Sequence, residues 1–250
     1  MKVSLLVITL NEETNLGRCL DSAKDIVDEI VIIDSGSTDD TKEIAEHHRA
    51  VWVDQPWLGY VGQKNVGLDR CANEWVLSLD ADEALSAQLK KEISAVKFDP
   101  KPGISGYSSP GCVFFEGKWI RHGDWYPDRL VRLFKRSKAE FRGDKVHERL
   151  HLEGEVGQLN GEIEHYSFES AEDQKNRMAH YSELWAESQF ENGNRPGILS
   201  EYTHAFWSFF RGFFLRAGFM DGRVGWTIAA TNASGVYIKY SRLRAMWKAK

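Results

Sequence analysis

The first hundred residues alternate between apolar stretches and amphipathic stretches. The apolar stretches VSLLVITL, DEIVIIDSGS, AVWVDQ and EWVLSLDADE predict four strands. The apolar run of the first stretch is continuous rather than alternating, which is typical of a strand that is buried on both faces. The stretches NLGRCLDSA, TDDTKEIAEHH, YVGQKNVGLDRCA and SAQLKKEISAV predict the helices that follow them. Strand–helix alternation with short links predicts an α/β fold whose parallel sheet is covered by helices.

The pattern changes after DPKPG, at residues 99–103. The stretches GISGYSSPGCVFF and DRLVRLFKR predict short β-segments, and residues 172–192 predict a helix. The breaker cluster NGNRPG separates this helix from the C-terminal tail. We therefore predict one domain over residues 1–165, with halves at 1–100 and 101–165, followed by a helical extension over residues 166–250.

The composition predicts a folded protein in a reducing compartment. The chain has 250 residues, of which 42% are apolar and 28% charged, so it can bury a large core. Cys19, Cys71 and Cys112 lie far apart without CxxC spacing, which predicts neither a disulfide framework nor a zinc site. The N-terminal apolar run is too short for a membrane span and lacks the cleavage region of a signal peptide. We expect a cytoplasmic location.

The charge is distributed unevenly along the chain. The net charge is −5, but residues 203–250 contain eight Lys/Arg and one Asp, or +7, which leaves −12 for the remainder. An acidic body predicts no nucleic-acid partner. The tail FWSFFRGFFLRAGF combines six aromatic residues in nine positions with arginines, which is typical of an amphipathic helix at an anionic membrane surface. Packing in a homodimer and docking on the protein's own core are the alternatives.

Polar residues follow every strand of the predicted parallel sheet. They are Thr9, Asn11 and Glu12 after the first strand, Asp34 after the second, Asp54 after the third, and Asp80 and Asp82 after the fourth. A single acid at such a place commonly caps a helix, but four such endings at one sheet edge favour a ligand site. Asp80 and Asp82 are expected roughly 6–7 Å apart on one face, where a cation would compensate their repulsion. The dinucleotide fingerprint GxGxxG and the P-loop are missing.

The motifs ITLNEE, VIIDSGSTDDT, GQKN and LSLDADE, in this order, resemble glycosyltransferase family 2. Later, HGDWYPDRLVRLFKR and DKVHERL resemble a bacterial branch of that family, the glucosyltransferases of the lipopolysaccharide inner core. The resemblance implies a GT-A fold, a Rossmann-like nucleotide-binding sheet with helices on both faces. It also implies inverting transfer of a sugar from a nucleotide-sugar donor, with a UDP-sugar favoured, to a lipid-linked oligosaccharide acceptor. The enzyme would lie peripherally on the inner face of the inner membrane.

The resemblance also assigns roles to individual residues. Asp34 matches the aspartate that recognises the donor's base, although relatives commonly have DDGS where this chain has Asp34-Ser35. The other residues implied to contact the nucleotide are Thr9, Asn11, Glu12, Lys64 and Asp80. Asp82, with Asp80, matches the DxD pair that holds Mg²⁺ or Mn²⁺, and such ions typically join one or two carboxylates to substrate phosphates.

An inverting displacement requires a general base, which contributes about 10²–10⁴-fold to the rate. The candidates are Asp124, Asp128, Asp144 and Glu148. We choose Glu148, where the family's acceptor-side acid usually falls, with Asp128 as second choice. His147 either completes the metal sphere, orients the base or is a packed histidine. Nearby arginines either grip a diphosphate or acidic acceptor or pair with surface acids; they are Arg129, Arg132 and Arg149.

Two other classes of protein use similar sequences. A calcium-binding EF-hand loop would require Asp or Asn at Ala84, Gly at Leu85 and Glu at Lys91, and all three fail. A phosphatase-like hydrolase also has DxD after a strand, but usually has Thr or Val at the position of Ala84. A non-catalytic scaffold that binds a nucleotide-sugar is the remaining alternative, and the presence of Lys64, both DxD acids and a candidate base argues against it.

Overall fold

A computed structural model describes residues 1–144, 147–168 and 171–249, without the side chains at 144, 147, 148, 171, 173 and 175. The chain folds into two compact units. The first comprises Met1–Gly111 and Asp128–His165, and the second comprises Cys112–Pro127 and Tyr166–Lys250. Residues 112–127, which we predict to belong to the domain over residues 1–165, pack within the second unit. The predicted functional division of the domains stays a prediction.

The first unit begins with the alternation of strands and helices that the sequence predicts. The elements are β1 (Val3–Thr9), α1 (Leu16–Ala23), β2 (Glu29–Asp34), α2 (Thr41–His47), β3 (Val51–Asp54), α3 (Gly59–Arg70), β4 (Trp75–Asp80), β5 (Glu83–Leu85) and α4 (Ala87–Phe98). The strands lie in the order β3-β2-β1-β4 and are all parallel. In this register Thr9 lies beside Asp34, and Ile8 lies beside Asp80. The carboxyl ends of three strands therefore meet at one edge.

Further strands follow α4. They are β6 (Ile104–Phe115), β7 (Lys118–Ile120), β8 (Asp128–Lys135), β9 (Ala139–Asp144), β10 (His147–Leu152), β11 (Glu155–Gln158) and β12 (Ile163–His165). β6, β7, β8, β11 and β12 extend the sheet beyond β4, and of these β11 pairs with β6 in the parallel sense. β8 pairs antiparallel with β4, and β12 pairs antiparallel with β5 directly after the DxD segment. β9 and β10 form a separate two-stranded hairpin. The antiparallel strands thus bring residues from late in the chain to the end of β4.

The core of the first unit lies on both faces of the parallel sheet. Leu5 of β1 packs in one cluster with Leu16 and Leu20 of α1, and Leu6 packs in another with Leu68 of α3. Successive strand residues point to opposite faces, so a continuous apolar run fills both layers. Full burial of each such side chain contributes about 1.5–3 kcal/mol, which anchors the strand ends that carry the polar residues.

The second unit is helical, with a short β-segment. Its helices are α5 (Ala171–Glu191), α6 (Ser200–Phe210) and α7 (Gly222–Ala249), and a π-helical turn over Arg211–Leu215 follows α6. A cluster of apolar residues joins α7 to the segment before β8; its members are Phe115, Ile120, Trp125, Phe168, Val224 and Ile228. None of the helices in the described ranges is long and apolar enough to cross a membrane. The predicted α/β GT-A fold with a helical C-terminal extension is confirmed.

Candidate active site

The carboxylate of Asp34 joins the ends of β1 and β2 and is almost completely buried. Its Oδ1 accepts hydrogen bonds from Thr9 Oγ1 (2.9 Å) and Ser37 Oγ (2.5 Å). Its Oδ2 accepts from the backbone N–H groups of Gly36 (2.8 Å) and Ser37 (2.7 Å). Four donors fill the acceptor capacity of an ionised carboxylate. Asp34 and Thr9 therefore fix the loop after β2, and their contact with a nucleotide stays a prediction.

Asn11 and Glu12 hold the loop after β1 against the loop after β2. Asn11 has a left-handed φ of 56°, which asparagine tolerates, and its Oδ1 accepts from the Thr38 N–H at 2.9 Å. The Glu12 N–H donates to Thr41 Oγ1 at 2.8 Å. Burial raises the pKa of Glu12, and the nearby charge of Asp82 raises it further. Both residues lie directly after β1, at the carboxyl edge of the sheet, and their nucleotide contacts stay predictions.

Asp80, at the end of β4, lies between two cations, the buried Lys64 and the mostly buried Arg132. Lys64 Nζ lies 2.9 Å from Asp80 Oδ1, and Arg132 Nη2 lies 3.0 Å from Asp80 Oδ2. Arg132 Nη2 also donates to Glu83 Oε1 at 2.5 Å, and Glu83 Oε2 accepts from the Asp80 N–H at 2.9 Å. The Lys64 and Glu83 side chains are only 2% and 4% exposed. Two cations and two carboxylates thus neutralise one another in a closed network.

This network sets the ionisation of its members. Burial alone would raise the pKa of Asp80, but Arg132 and Lys64 outweigh it and hold that pKa well below its ordinary value. Burial raises the pKa of Glu83, and the charge of Asp80 adds to the rise. Although burial would lower the pKa of Arg132, the two carboxylates raise it above its ordinary value. Asp80 is therefore an oriented carboxylate that stays ionised at neutral pH.

Asp82 lies outside this network and contacts a histidine from the end of the first unit. His165 Nε2 lies 3.1 Å from Asp82 Oδ2, and β12 carries His165 there by pairing with β5. Burial would lower the pKa of His165, but its hydrogen bond to Asp82 and the charge of Asp82 raise it. Both side chains are about one-third exposed, so a ligand can reach them.

Asp82 and His165 fit part of a metal site. Carboxylate oxygens suit Mg²⁺ and Mn²⁺, and an imidazole nitrogen adds a ligand that favours a transition metal. Within the described ranges, no cluster of three or more His, Cys, Asp or Glu could hold a metal ion. Mg²⁺ and ions like it commonly take one or two protein ligands and complete their coordination with substrate phosphates and water. The pair therefore fits a cation that binds together with a diphosphate.

Three consecutive residues of the GQKN motif on α3 reach different parts of the sheet. Gln63 Nε2 donates to Ser35 Oγ (2.7 Å) after β2 and to the Gln55 carbonyl (3.1 Å) after β3. Lys64 reaches Asp80, as described above. Asn65 Nδ2 donates to the Phe141 carbonyl on β9 at 2.9 Å. The motif therefore ties the carboxyl edge of the parallel sheet to the β9–β10 hairpin.

The predicted general bases are not brought together with these residues by any described contact. The β9–β10 pairing places Glu148 opposite Gly143, but the side chains of His147 and Glu148 lie outside the described part of the structure. Asp128, the second choice, is exposed at the start of β8, opposite Gly111. The catalytic roles of Glu148 and Asp128 and the metal role of His147 stay predictions.

Sequence reasoning missed two members of the site and did not resolve a third. Glu83 and His165 were not singled out, and Arg132 was left between a diphosphate contact and a surface ion pair. In the structure Arg132 bridges the partly exposed Asp80 and the buried Glu83. The apolar neighbours of Arg132 in RLVRLF are the only local signal. His165 carries no local signal, since its proximity to Asp82 depends on pairing between β5 and β12.

Comparison with known proteins identifies relatives over the whole chain. The family model described as "Glycosyl transferase family 2" matches residues 4–148. An uncharacterized glycosyltransferase of Rickettsia typhi is 31% identical over 98% of this chain and 87% of its own length. The lipopolysaccharide core biosynthesis glycosyltransferase LpsC of Rhizobium meliloti is 31% identical over 96% of this chain and 94% of its own length. Among solved structures, S. aureus TarS 1-349 is 15% identical and covers 100% of this chain and 92% of that chain, with a TM-score of 0.48.

Proposed function

The chain belongs to glycosyl transferase family 2 and is a glycosyltransferase, and from this premise we propose that it moves a sugar from a nucleotide-sugar donor to a lipid-linked glycan. We favour a UDP-sugar as the donor and inversion at the anomeric carbon. The observation that carries the proposal is the strand edge at which Asp80 is held by Lys64 and Arg132 while Asp82 faces His165. The edge offers one pre-oriented carboxylate and one accessible pair of metal donors.

In this proposal the donor's diphosphate lies at Asp82 and His165. These two residues would hold Mn²⁺ or Mg²⁺, which neutralises charge on the leaving diphosphate when bound. Asp80 is kept for orientation of the nucleotide, because each of its oxygens already accepts from a cation. Thr9, Asn11, Glu12 and Asp34 shape the loops that would enclose the base and ribose.

The proton of the acceptor hydroxyl would pass to Glu148, with Asp128 as the second candidate. Glu148 lies on β10, which pairs with β9, and β9 is hydrogen-bonded to Asn65 of α3. Lys64, next to Asn65 on α3, contacts Asp80. Glu148→Gln is expected to bind donor nucleotide and to lose most of its transfer rate, by about 10²-fold or more. Turnover within a few-fold of wild type would move the role to another acid.

The relationship to LpsC supports a lipopolysaccharide-core acceptor. A further observation supports a lipid-linked one. In the second unit, exposed apolar side chains form a surface; they are Phe206, Trp207, Phe214, Leu215, Phe219, Met220 and Trp226. The rings of Phe210 and Phe213 contact several of these aromatic side chains. Arg211, Arg216 and Arg223 lie in the same segment. Aromatic residues with arginines are suited to the interface of an anionic bilayer.

Membrane attachment is tested with the full chain and vesicles of phosphatidylcholine, with and without phosphatidylglycerol. Phe206→Ser with Leu215→Ser is expected to reduce co-flotation with the anionic vesicles by about tenfold. Phe98→Ser, in the first unit, is the matched control because Phe98 is 93% exposed. Failure of the wild-type chain to float with anionic vesicles would contradict peripheral attachment.

The transferase function is tested by calorimetric binding of UDP in the presence of Mn²⁺, followed by transfer from UDP-glucose to a core glycolipid extracted from a strain that lacks the gene. Asp82→Asn and His165→Gln are expected to weaken Mn²⁺-dependent UDP binding by about tenfold or more. Asp25→Asn removes an exposed acid far from the site and serves as control. Phosphate release from simple esters without an acceptor would favour the hydrolase, and binding without turnover on any glycolipid would favour the scaffold.

A further inference from the structure

A groove in the second unit lies outside all the residues discussed so far as site residues. Its volume is about 530 Å³. It is formed by part of the RHGDWYP stretch and by the turn after α6; the lining residues are Arg121, His122, Tyr126, Pro127, Leu215, Arg216 and Ala217. The lining thus brings two arginines and a histidine, and none of the residues described as lining it is acidic. This composition favours an anionic ligand.

His122 is held in the groove by an acid that lies behind it. His122 Nδ1 lies 2.9 Å from Asp221 Oδ1, and the His122 N–H donates to Asp221 Oδ2 at 2.9 Å. The Asp221 side chain is 9% exposed, whereas that of His122 is 31% exposed. The buried carboxylate fixes the imidazole from the protein side and leaves the Nε2 edge to the groove.

Arg216 is held in the same way by Asp124. Arg216 Nη1 lies 3.0 Å from Asp124 Oδ1. Asp124 is also bound by Arg211, through Nε and Nη2 at 3.1 Å each. The Asp124 side chain is 12% exposed, and that of Arg216 is 52% exposed. Two guanidinium groups share one carboxylate, so the pair of arginines retains a positive charge, and Arg216 presents it toward solvent.

The backbone next to the groove has two positions, Gly123 and Gly212, that favour glycine. The Gly123 N–H donates to the Arg216 carbonyl at 2.8 Å, and Gly123 has a left-handed φ of 80°. A Cβ at Gly212 would lie 2.9 Å from Asp124 Oδ2, so the turn approaches the carboxylate as closely as only glycine allows. The cations are therefore pre-oriented, which lowers the entropy lost when a ligand binds.

We propose that this groove binds an oxyanion, the carboxylate or phosphate of an acidic sugar, carried by the acceptor glycan. Guanidinium groups recognise both oxyanions through paired N–H donors. Tyr126 and Pro127 add a less polar wall against which a sugar ring packs. Leu215 lines the groove and is also an exposed member of the apolar surface, so the site suits a charged glycan on a lipid. This inference rests on the proposed function, that the acceptor is a lipid-linked glycan.

The probes for this site are glucuronate and glucose 6-phosphate, with glucose as the neutral control and glycerol 1-phosphate as the phospholipid head group. Binding to the full chain is followed by ¹H–¹⁵N NMR titration. Both sugar acids are expected to shift the amide signals of residues 121–123 and 216–217, and glucose is not. Arg121→Gln with Arg216→Gln is expected to weaken sugar-acid binding by about tenfold or more.

Arg223→Gln removes an arginine of the same unit that does not line the groove, and its affinity is expected to stay within about twofold of wild type. Arg216→Lys keeps the charge and serves if the double variant unfolds; it is expected to retain binding at a few-fold lower affinity. Equal affinity of the double variant and wild type would overturn the proposal. Tighter binding of glycerol 1-phosphate than of either sugar acid would also overturn it, by assigning the groove to phospholipid.

The same wild-type sample reports on the proposed function separately, through Mn²⁺-dependent UDP binding. Sugar-acid binding without nucleotide binding would contradict the proposed transferase chemistry alone. Nucleotide binding without sugar-acid binding would contradict the oxyanion groove alone.

Discussion

Asn65 on α3 and the backbone of Phe141 on β9 exchange two hydrogen bonds of 2.9 Å each, one in each direction. The neighbouring Lys64 Nζ lies 5.6 Å from the centre of the Phe141 ring and 2.9 Å from Asp80. One helical turn therefore attaches the β9–β10 hairpin to the same frame that orients the DxD segment. Lys64 contacts Asp80 at the end of β4, and the adjacent Asn65 binds Phe141 on β9.

Loss of the Asn65 side chain is expected to loosen the hairpin. Asn65→Ala leaves the Phe141 N–H and carbonyl without their partners, at a cost of about 1–3 kcal/mol. Hydrogen exchange at amides of residues 139–144 and 147–152 should accelerate, while that of β1 stays slow. Asn192→Ala, at an exposed position in the second unit, is the control. Unchanged exchange in the hairpin would show that these bonds do not hold it.

Removal of the Arg132 guanidinium is expected to be strongly destabilising. Arg132→Gln leaves Glu83 buried beside Asp80 without its cation, and breaking a buried ion pair from one side costs about 3–5 kcal/mol. The free energy of unfolding is measured by urea denaturation. Arg132→Gln combined with Glu83→Gln should recover part of the loss, because the unpaired charge is removed. A double variant less stable than Arg132→Gln alone would contradict a network held by charge.

Chelation is expected to stop transfer without unfolding the protein. The proposed metal donors, Asp82 and His165, lie at the sheet edge and not in the apolar core. EDTA should therefore abolish transfer, and the thermal midpoint without nucleotide should change by less than about 2 °C. Added Mn²⁺ should restore the rate. Full activity in EDTA would rule out the metal-assisted mechanism.

Glu92 of α4 is expected to make stability depend on pH in the acidic range. Its carboxylate accepts from the backbone N–H groups of Asn160 (2.7 Å) and Gly161 (3.0 Å), in the loop that leads to β12. Burial alone would raise the pKa of Glu92, but these hydrogen bonds lower it below its ordinary value. A lowered folded-state pKa contributes stability that is complete above the unfolded-state pKa of about 4.3.

That contribution is lost as the pH falls through the folded-state pKa of Glu92. Urea denaturation between pH 3 and pH 7 should show Glu92→Gln less stable than wild type by about 1 kcal/mol at neutral pH, with the difference shrinking on acidification. Glu46→Gln, at an exposed position on α2, provides the control for replacing a carboxylate by an amide. A difference that grows toward low pH would have the wrong sign and would contradict this role.

The sequence predicted the strands and their polar ends well, because both depend on local pattern. A continuous apolar run is unfavourable in a solvent-facing strand and in a loop. β1, β2 and β4 are therefore predicted from the local sequence pattern alone. Asp80 ends β4 and Asp82 follows two residues later, so the end of this strand places both acids at the edge of the sheet. Lys64 is buried against Asp80, and this pairing was expected only from the family resemblance.

The remainder of the site depends on contacts between distant parts of the chain. Arg132 is 52 residues from Asp80, and His165 is 83 residues from Asp82. No periodicity within a window of the sequence reports such pairings, because they arise from antiparallel strands that join the sheet late. The packing of residues 112–127 within the second unit depends on such distant contacts too, since Phe115 and Ile120 find their apolar partners on α7.

The second unit is assembled from two separate pieces of the chain, and this constrains protein engineering. A fragment that starts at residue 166 lacks Phe115, Ile120 and Trp125, and would expose the side chains of α7 that they cover. Residues 166–250 alone therefore do not make up an intact folded module. Chimeras that exchange the second unit between relatives need to transplant residues 112–127 and 166–250 together, as a matched pair of inserts.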